Sequence, residues 1–211
     1  MINKDIIGGD DLRLRPLEMM LAATFAALMA VGGNITMIAP FLVVGDVPIT
    51  FQPFVAILAG AVLGSRLGAL SMVIYALVGL TGVPVFAQFS GGLGSIVSPT
   101  FGFIISFIIM AYVVGKIIEL RPGPSYGTYL LAAFSGLAIN YLVGTNLMYF
   151  SYMFVAEAPE GFSYPYVWII MAAPFVKDVV FTALAASTAP KLARMVKQPN
   201  HRTGSSQPKA S

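Results

Sequence analysis

The chain has 211 residues, of which 57% are hydrophobic and only 10% are charged, and its formal net charge is +3 at pH 7. Soluble domains carry roughly 25% charged residues, so this composition cannot cover a water-soluble globule and predicts a membrane domain. The sequence has no cysteine, and its one histidine, His201, lies in the polar C-terminal tail. These counts exclude thiolate sites, histidine metal clusters and histidine-based triads, and we expect neither a metal nor a cofactor.

Six apolar stretches follow one another along the chain and predict an all-α integral membrane protein with about six transmembrane helices. They cover residues 17–31, 51–63, 67–80, 101–118, 129–154 and 164–189. Pro16 precedes the first stretch at a favourable first-turn position, and Pro174 interrupts the last. The second and third stretches are shorter than the ~20 residues of a straight span, so a re-entrant hairpin in place of these two spans is the alternative.

The distribution of basic residues predicts that both chain ends lie in the cytoplasm. In this orientation the inner segments hold eleven of the twelve Lys and Arg residues, and the outer loops near 35–50, 81–100 and 155–163 hold none. An odd number of spans would scramble this pattern. We therefore predict a cytoplasmic segment at 1–16, a six-helix membrane domain at 17–195 and a disordered cytoplasmic tail at 196–211.

The twelfth basic residue, Lys177, lies beside Asp178 inside the last apolar stretch. An ionisable group in a membrane segment is costly to bury unless it is paired, so this pair is a candidate functional site. The alternative is a structural ion pair or a snorkelling lysine. If the last helix begins near Pro174, Asp178 lies close to its first turn, where the helix dipole favours an acid. Because neighbouring helical positions point about 100° apart, we expect one of the two side chains to face a cavity and the other a neighbouring helix.

Neutral polar residues form two further groups. The glycine-rich loop at 85–100 contains Gln88, Ser90 and Gly91, and its glycines would let the backbone approach a ligand and expose N–H donors. Four other polar side chains lie within or beside apolar stretches, and interhelical hydrogen bonding is the expected role for most of them. They are Gln52, Asn140, Tyr141 and Asn146.

Small residues form stripes along the first predicted helix. Ala22, Ala26 and Ala30 are spaced by four, as are Ala23 and Ala27. Small residues at this spacing allow close contact between helices, either within the chain or with a partner subunit. The sequence has no phosphate-binding glycine loop ending in Lys followed by Ser or Thr, so we do not expect the chain to hydrolyse ATP.

Several segments resemble the BioY family, the biotin-capturing S-components of energy-coupling factor (ECF) transporters. The resemblance is strongest at 58–71, which reads LAGAVLGSRLGALS, and at 79–87, which reads GLTGVPVFA. It extends through the glycines at 91–92 and the SPTFG sequence at 98–102, and the PITFQ sequence at 48–52 also matches. The resemblance implies a six-helix S-component bundle in a prokaryotic plasma membrane, with an outward-facing biotin pocket built by the loop after the first helix, the glycine-rich loop and the last helices.

The resemblance also implies partners. These are a transmembrane coupling subunit and two cytoplasmic ATPases, in addition to biotin and membrane lipid, and no nucleic acid is expected. In S-components the first helix carries small residues that meet the coupling subunit, and Ala22, Ala26 and Ala30 match that pattern.

The chain departs from the family at two positions of the implied pocket. The family's outer loop often reads Gly-Gly-x-Gly-Gly, whereas residues 88–92 here read QFSGG. The family's last helix commonly opens Pro-Gly-Asp-x-x-Lys. With Asp178 as the acid, Val176 and Lys177 replace the first two residues and Phe181 takes the place of the lysine. Lys177 is therefore predicted to bind the biotin carboxylate in its stead, if the helix start is locally distorted.

The resemblance and the polar residues together predict a binding mode. We expect Asp178 to accept charge-assisted hydrogen bonds from the ureido nitrogens of biotin. Gln88, Ser90 and nearby backbone N–H groups would bind its carbonyl or carboxylate, and Phe86 and Tyr141 would flank its ring. The complete predicted substrate-binding set is Gln52, Phe86, Gln88, Ser90, Gly91, Tyr141, Lys177 and Asp178.

Three other functions are weighed against biotin capture. The departures leave room for an S-component that binds a different vitamin. A structural or assembly subunit without a ligand would use Asp178 for stability alone. A membrane-embedded enzyme is disfavoured, because no paired acids, histidine or cysteine share a membrane face, and we predict that the chain is not an enzyme.

Overall fold

A computed structural model describes residues 15–35, 43–44, 47–48 and 50–197. Within these residues the chain is predominantly helical, and its α-helices are α1 (Pro16–Gly33), α2 (Gln52–Leu63), α3 (Ser65–Leu80), α4 (Phe101–Glu119), α5 (Tyr126–Phe154), α6 (Tyr164–Ile170) and α7 (Ala172–Lys197). Two short 3₁₀ helices, Ala87–Phe89 and Leu93–Val97, lie between α3 and α4. Strands β1 (Val43–Val44) and β2 (Val47–Pro48) pair antiparallel, with Val44 opposite Val47.

Four helices, α1, α4, α5 and α7, are long and apolar enough to cross a membrane. Helices α2 and α3 are also apolar and have 12 and 16 residues. At 1.5 Å per residue they rise only about 18 and 24 Å, which is less than the ~30 Å hydrocarbon core. The chain is thus a helical, multi-pass membrane protein, as predicted. The count of six crossings and the cytoplasmic position of both ends stay predictions.

The last predicted span is divided into two helices. Helix α6 ends at Ile170 and α7 begins at Ala172, with the carbonyl of Met171 accepting from the Phe175 N–H. The break therefore lies before Pro174, which occupies the first turn of α7, where N–H groups have no intrahelical acceptor to lose. Helix α7 reaches Lys197, two residues into the predicted tail. Residues 1–14 and 198–211, which include most of the predicted terminal segments, lie outside the described residues.

Glycines set the close packing of α2, α3 and α4. A Cβ at Gly60 would collide with the backbone carbonyl of Ala111 on α4, and a Cβ at Gly115 would collide with the backbone at Gly64 and Ser65. Gly64 is the single residue between α2 and α3, and its φ of +90° is one that L side chains rarely adopt. The segment 58–71, which carries much of the family resemblance, is therefore a tight helical hairpin, and its glycines are needed for backbone contact.

Helix α1 packs one face on α2 and α3 and exposes the other. Ala22 has no exposed surface and Ala26 only 9%, and Ala30 packs, partly buried, against the core. In this structure Ala22, Ala26 and Ala30 pack within the chain, one of the two roles weighed for them, and their contact with a partner subunit stays a prediction. The exposed small residues of the helix are Ala23 and Ala27.

Candidate functional site

A cavity of about 480 Å³ lies at the end of the bundle where α2, α4 and α7 begin. Its size falls within the roughly 300–1,000 Å³ range of small-molecule sites. The walls come from these helix starts, the middle of α5 and the loop between α3 and α4. All the predicted substrate-binding residues line it: Gln52, Phe86, Gln88, Ser90, Gly91, Tyr141, Lys177 and Asp178. The structure thus brings them together, and their contact with a ligand stays a prediction.

An ion pair closes the buried end of the cavity. Lys177 Nζ lies 2.6 Å from Asp178 Oδ1, and the Tyr141 hydroxyl donates to Asp178 Oδ2 at 2.7 Å. The ammonium also donates to the backbone carbonyl of Thr50. Asp178 is only 4% exposed, and apart from the ion pair no hydrogen bond from the described residues reaches Oδ1. The carboxylate is thus held by two neighbours and keeps acceptor capacity for a ligand.

Both members of this pair face the cavity, contrary to the expectation that only one would. The argument from helical angles applies to the Cβ directions, but the long lysine stem lets the Lys177 ammonium return to the carboxylate of its neighbour. Pro174, one turn earlier on α7, also lines the cavity. The pair therefore combines a structural ion pair with a position open to a ligand.

Two aromatic rings enclose the lysine ammonium on its other side. Lys177 Nζ lies 5.9 Å from the ring centroid of Phe51 and 6.0 Å from that of Phe181, distances at which a cation is attracted to the ring face. The two rings are 4.7 Å apart, and Phe181 also meets Phe54 edge-on at 5.9 Å. Since positions 177 and 181 are four apart on α7, they share a helix face. Phe181, which stands where the family has its lysine, thus forms an aromatic contact, and the cation lies one turn earlier.

Interhelical hydrogen bonding, the expected role of the four intramembrane polar residues, is confirmed for all of them. The Gln52 side-chain amide donates to the Tyr75 hydroxyl on α3 at 2.6 Å, and Asn140 accepts from Ser106 on α4 at 2.6 Å. Tyr141 donates to α7 as described above, and Asn146 accepts from Tyr164 on α6 at 3.3 Å. Gln52, Asn140 and Tyr141 also line the cavity, so a structural role does not remove them from it.

A buried network that sequence reasoning missed fixes the loop above the cavity. The Tyr75 hydroxyl donates to the Val85 carbonyl at 3.2 Å, and Asn34 at the end of α1 donates to the same carbonyl at 3.3 Å. The Asn34 side-chain oxygen accepts from the Phe89 backbone N–H at 2.6 Å. A polar Tyr75 in the apolar third stretch was the available signal. The network explains how the long loop between α3 and α4, residues 81–100, is held against the helices.

The loop itself is strained where it turns over the cavity. Gln88 and Phe89 have φ values of 60° and 52°, a conformation uncommon for residues other than glycine. The Phe86 N–H donates to the Ser90 carbonyl at 3.0 Å and closes this turn. The ring of Phe86 lies beneath it, edge-on to Tyr75 at 5.5 Å. Strain and buried anchors together indicate a turn shaped for the cavity that it covers.

Among the described residues that line the cavity, Lys177 and Asp178 are the only charged ones. A second groove lies at the opposite end of the bundle and includes Arg66, Lys116 and Glu119. Among the described residues, no three His, Cys, Asp or Glu side chains cluster as metal ligands would. The cavity therefore combines a neutralised ion pair with hydroxyl, amide and aromatic groups, which suits a polar and largely uncharged ring system.

The sequence of this chain is similar to those of known proteins. Residues 9–198 match the model of the BioY family. The chain is 43% identical over 184 residues to the BioYB protein of Bacillus subtilis (strain 168), covering 87% of this chain and 91% of that protein. It is 33% identical over 178 residues to the biotin transporter BioY of Thermotoga maritima, covering 84% and 96%.

The fold is similar to a crystal structure of the S-component for biotin from an ECF-type ABC transporter. The TM-score is 0.67 and the sequence identity 20%, and the match covers 86% of this chain and 92% of the other. At this identity the likeness concerns the fold alone. It agrees with the S-component bundle that the sequence predicts.

Proposed function

Because this chain belongs to the BioY family, we propose that it captures biotin as the S-component of an ECF-type ABC transporter. The observation that carries the proposal is the cavity of about 480 Å³ whose buried end is closed by the Lys177–Asp178 ion pair. A relative in Thermotoga maritima is named a biotin transporter, and the fold is similar to that of an S-component for biotin.

Asp178 is the proposed anchor for the ureido group. Biotin has two ureido N–H donors beside one carbonyl acceptor, and a carboxylate accepts such N–H groups in charge-assisted hydrogen bonds. Lys177, held 2.6 Å from Asp178 Oδ1, would offer its remaining donor capacity to the ureido oxygen. Tyr141 fixes the orientation of the carboxylate through Oδ2. A paired donor and acceptor thus face a ligand edge that has one of each.

The other predicted residues are proposed to surround the rest of the ligand. Phe86 and Tyr141 would flank the bicyclic ring, whose sulfur-containing half is apolar. Gln88, Ser90 and Gly91 are exposed and line the cavity, so they mark its mouth, where the carboxylate end of the ligand would lie. We assign Gln52 a positioning role, because its amide is bonded to Tyr75.

We further propose six crossings, with both ends in the cytoplasm of a prokaryotic cell and the cavity facing outward from its plasma membrane. Arg66 at the turn between α2 and α3 lies in one groove with Lys116 near the end of α4. The hairpin turn therefore reaches the end of the bundle opposite the cavity, as a full crossing requires. The positive-inside rule makes that end cytoplasmic.

The proposed partners are a transmembrane coupling subunit and two cytoplasmic ATPases. We assign the coupling-subunit contact to the exposed face of α1 that carries Ala23 and Ala27, with Met20 and Val31 each 67% exposed beside them. Small residues allow close helix contact, and the apolar neighbours would pack against a partner or lipid. Uptake would then require the partners to hydrolyse ATP while this subunit reorients in the bilayer.

Titration of the purified full chain with biotin tests the proposal, with other vitamins as competitors. Asp178→Asn keeps the shape but removes the charge, so we expect the affinity to fall by about ten- to a hundredfold, the equivalent of one charge-assisted hydrogen bond. Glu157→Gln, which neutralises an exposed carboxylate, is the matched control and should bind as the native chain does.

Three results would contradict these assignments. Tighter binding of another vitamin would show that this vitamin, and not biotin, is the substrate. If Asp178→Asn bound biotin as tightly as the native chain does, Asp178 would not be the acceptor of the ureido N–H groups. If the chain bound no vitamin and Asp178→Asn changed only its unfolding temperature, the alternative of an assembly subunit would take the place of biotin capture.

A further inference from the structure

The described part of the chain supplies one cation to the cavity end of the bundle. Between Pro16 and Pro190 the only basic residues are Arg66, Lys116, Arg121 and Lys177. The first two line the groove at the opposite end, and Arg121 follows the last turn of α4 at that same end. Helix α1 begins there and α7 ends there, so the described basic residues of these helix ends, Arg15, Lys191 and Arg194, also lie far from the cavity. Among the residues that the structure describes, Lys177 is therefore the only ammonium or guanidinium available to a ligand in the cavity.

This ammonium is already engaged. It is paired with Asp178 Oδ1 at 2.6 Å, donates to the Thr50 carbonyl and lies against the rings of Phe51 and Phe181. A ligand carboxylate that reached it would stand beside the buried carboxylate of Asp178, and like charges at such close range repel. The two rings also occupy space beside the ammonium, about 6 Å from it. The surroundings of Lys177 thus disfavour a second anion.

The length of biotin leads to the same conclusion. The proposed function places the ureido group at Asp178, and this inference rests on that assignment. The carboxylate of biotin is separated from its ureido ring by the fused sulfur-containing ring and a flexible chain of methylene groups. One ion pair 2.6 Å across cannot serve both ends of such a molecule. The carboxylate must therefore extend toward the mouth, where the exposed lining residues Gln88, Ser90 and Gly91 carry no charge.

We propose that the site recognises the ureido ring and leaves the ligand carboxylate without a cationic partner, so that amides of biotin are also ligands. The chemical class is biotin whose carboxyl group is joined to an amine, such as biotinamide or biotinyl-lysine. Neutral hydroxyl, amide and backbone N–H donors at the mouth can bind an amide oxygen as well as a carboxylate oxygen. This assignment differs from the sequence-based one, which gave the carboxylate to Lys177.

The test compares biotin with biotinamide on the purified full chain. We expect the two dissociation constants to agree within about fivefold, because no charge-assisted hydrogen bond is lost on amidation. A larger loss for the amide, with tight binding of biotin, would overturn this inference and leave the proposed function intact. Failure of both ligands to bind would overturn the proposed function and this inference with it.

A variant of Lys177 tests independently whether this residue binds the ligand carboxylate. Lys177→Met should weaken biotin and biotinamide by the same factor, since Lys177 acts at the ureido end that both ligands share. A loss confined to biotin would assign the carboxylate to Lys177 and refute the inference. Lys116→Met, which removes a cation from the opposite groove, is the matched control and should change neither affinity. If Lys177→Met fails to fold, the comparison of the two ligands on the native chain still decides.

Discussion

Removing the hydroxyl of Tyr75 should weaken biotin binding although this residue does not line the cavity. The hydroxyl accepts from the Gln52 amide at 2.6 Å and donates to the Val85 carbonyl at 3.2 Å, and the residue is only 1% exposed. In Tyr75→Phe the Gln52 amide loses this acceptor in a buried place, which costs about 1–3 kcal/mol. For a chain of about 200 residues this lowers the unfolding temperature by roughly 2–4 °C per kcal/mol.

The same change should loosen the loop that bears Phe86. Asn34 still holds the Val85 carbonyl, so the loop loses one of its two side-chain anchors there. A loss of about 1 kcal/mol in the bound state corresponds to roughly fivefold in affinity. We would measure thermal unfolding in detergent by the fluorescence of Trp168, and biotin affinity by titration. Tyr112→Phe, at an exposed tyrosine of α4, is the control.

A double variant distinguishes the network from simple packing. In Gln52→Met combined with Tyr75→Phe, donor and acceptor are both removed, so the second substitution should cost less than it does alone, with a coupling of about 0.5–3 kcal/mol. Additive costs would show that the two groups do not interact. Native affinity and an unchanged unfolding temperature in Tyr75→Phe would refute the reasoning altogether.

Two further predictions concern the end of the bundle away from the cavity. Gly60→Ala should lower the unfolding temperature, because the added Cβ would collide with the backbone carbonyl of Ala111 on α4. Gly127→Ala is the control: its Cβ would meet only an ordinary contact, and it gains the same helix propensity, so the unfolding temperature should not fall. Glu119 accepts from the Ser65 N–H at 2.6 Å and from its hydroxyl at 2.7 Å and so caps α3 from another helix. Glu119→Gln should lower the free energy of unfolding by about 1 kcal/mol, as the loss of other helix caps does, and leave biotin affinity unchanged. The exposed Glu160→Gln is the control, and an equal effect of that variant on thermal unfolding would contradict the capping role.

Much of the architecture could be predicted from the sequence, because apolar periodicity and charge position act locally. The helices begin and end within a few residues of the predicted stretches, except that the last stretch divides and its second helix, α7, continues to Lys197 and does not end near residue 189. The sequence could not locate this break. Pro174 indicates the first turn of a helix, but it does not indicate the residue at which the preceding helix ends. Met171, the residue between the two helices, has no turn propensity that would reveal it.

Contacts between distant residues were harder to infer. The alanines at 22, 23, 26 and 27 look alike in sequence, and only the packing of α1 decides which pair is buried. Tyr75 and Asn34 were missed because their shared acceptor is a backbone carbonyl, a group that every residue has and no pattern marks. Side-chain partners are easier to anticipate: Lys177 and Asp178 were predicted as a candidate site from their position in an apolar stretch alone, and the structure brings them together as an ion pair.

The buried Lys177–Asp178 ion pair does not favour the stability of the fold, but it is suited to ligand binding. Taking two charges out of water costs several kcal/mol for each ion, and a well-packed apolar pair of similar volume is often as stable or more so. In this chain the cost is reduced by the Tyr141 hydroxyl, the Thr50 carbonyl and two aromatic rings, so a whole set of neighbours is arranged around Lys177 and Asp178. Such an arrangement holds a desolvated donor and acceptor in place before a ligand arrives. A ureido group then gains hydrogen bonds without ordering the site, and this preorganisation is the physical basis for placing recognition at the ring end of biotin.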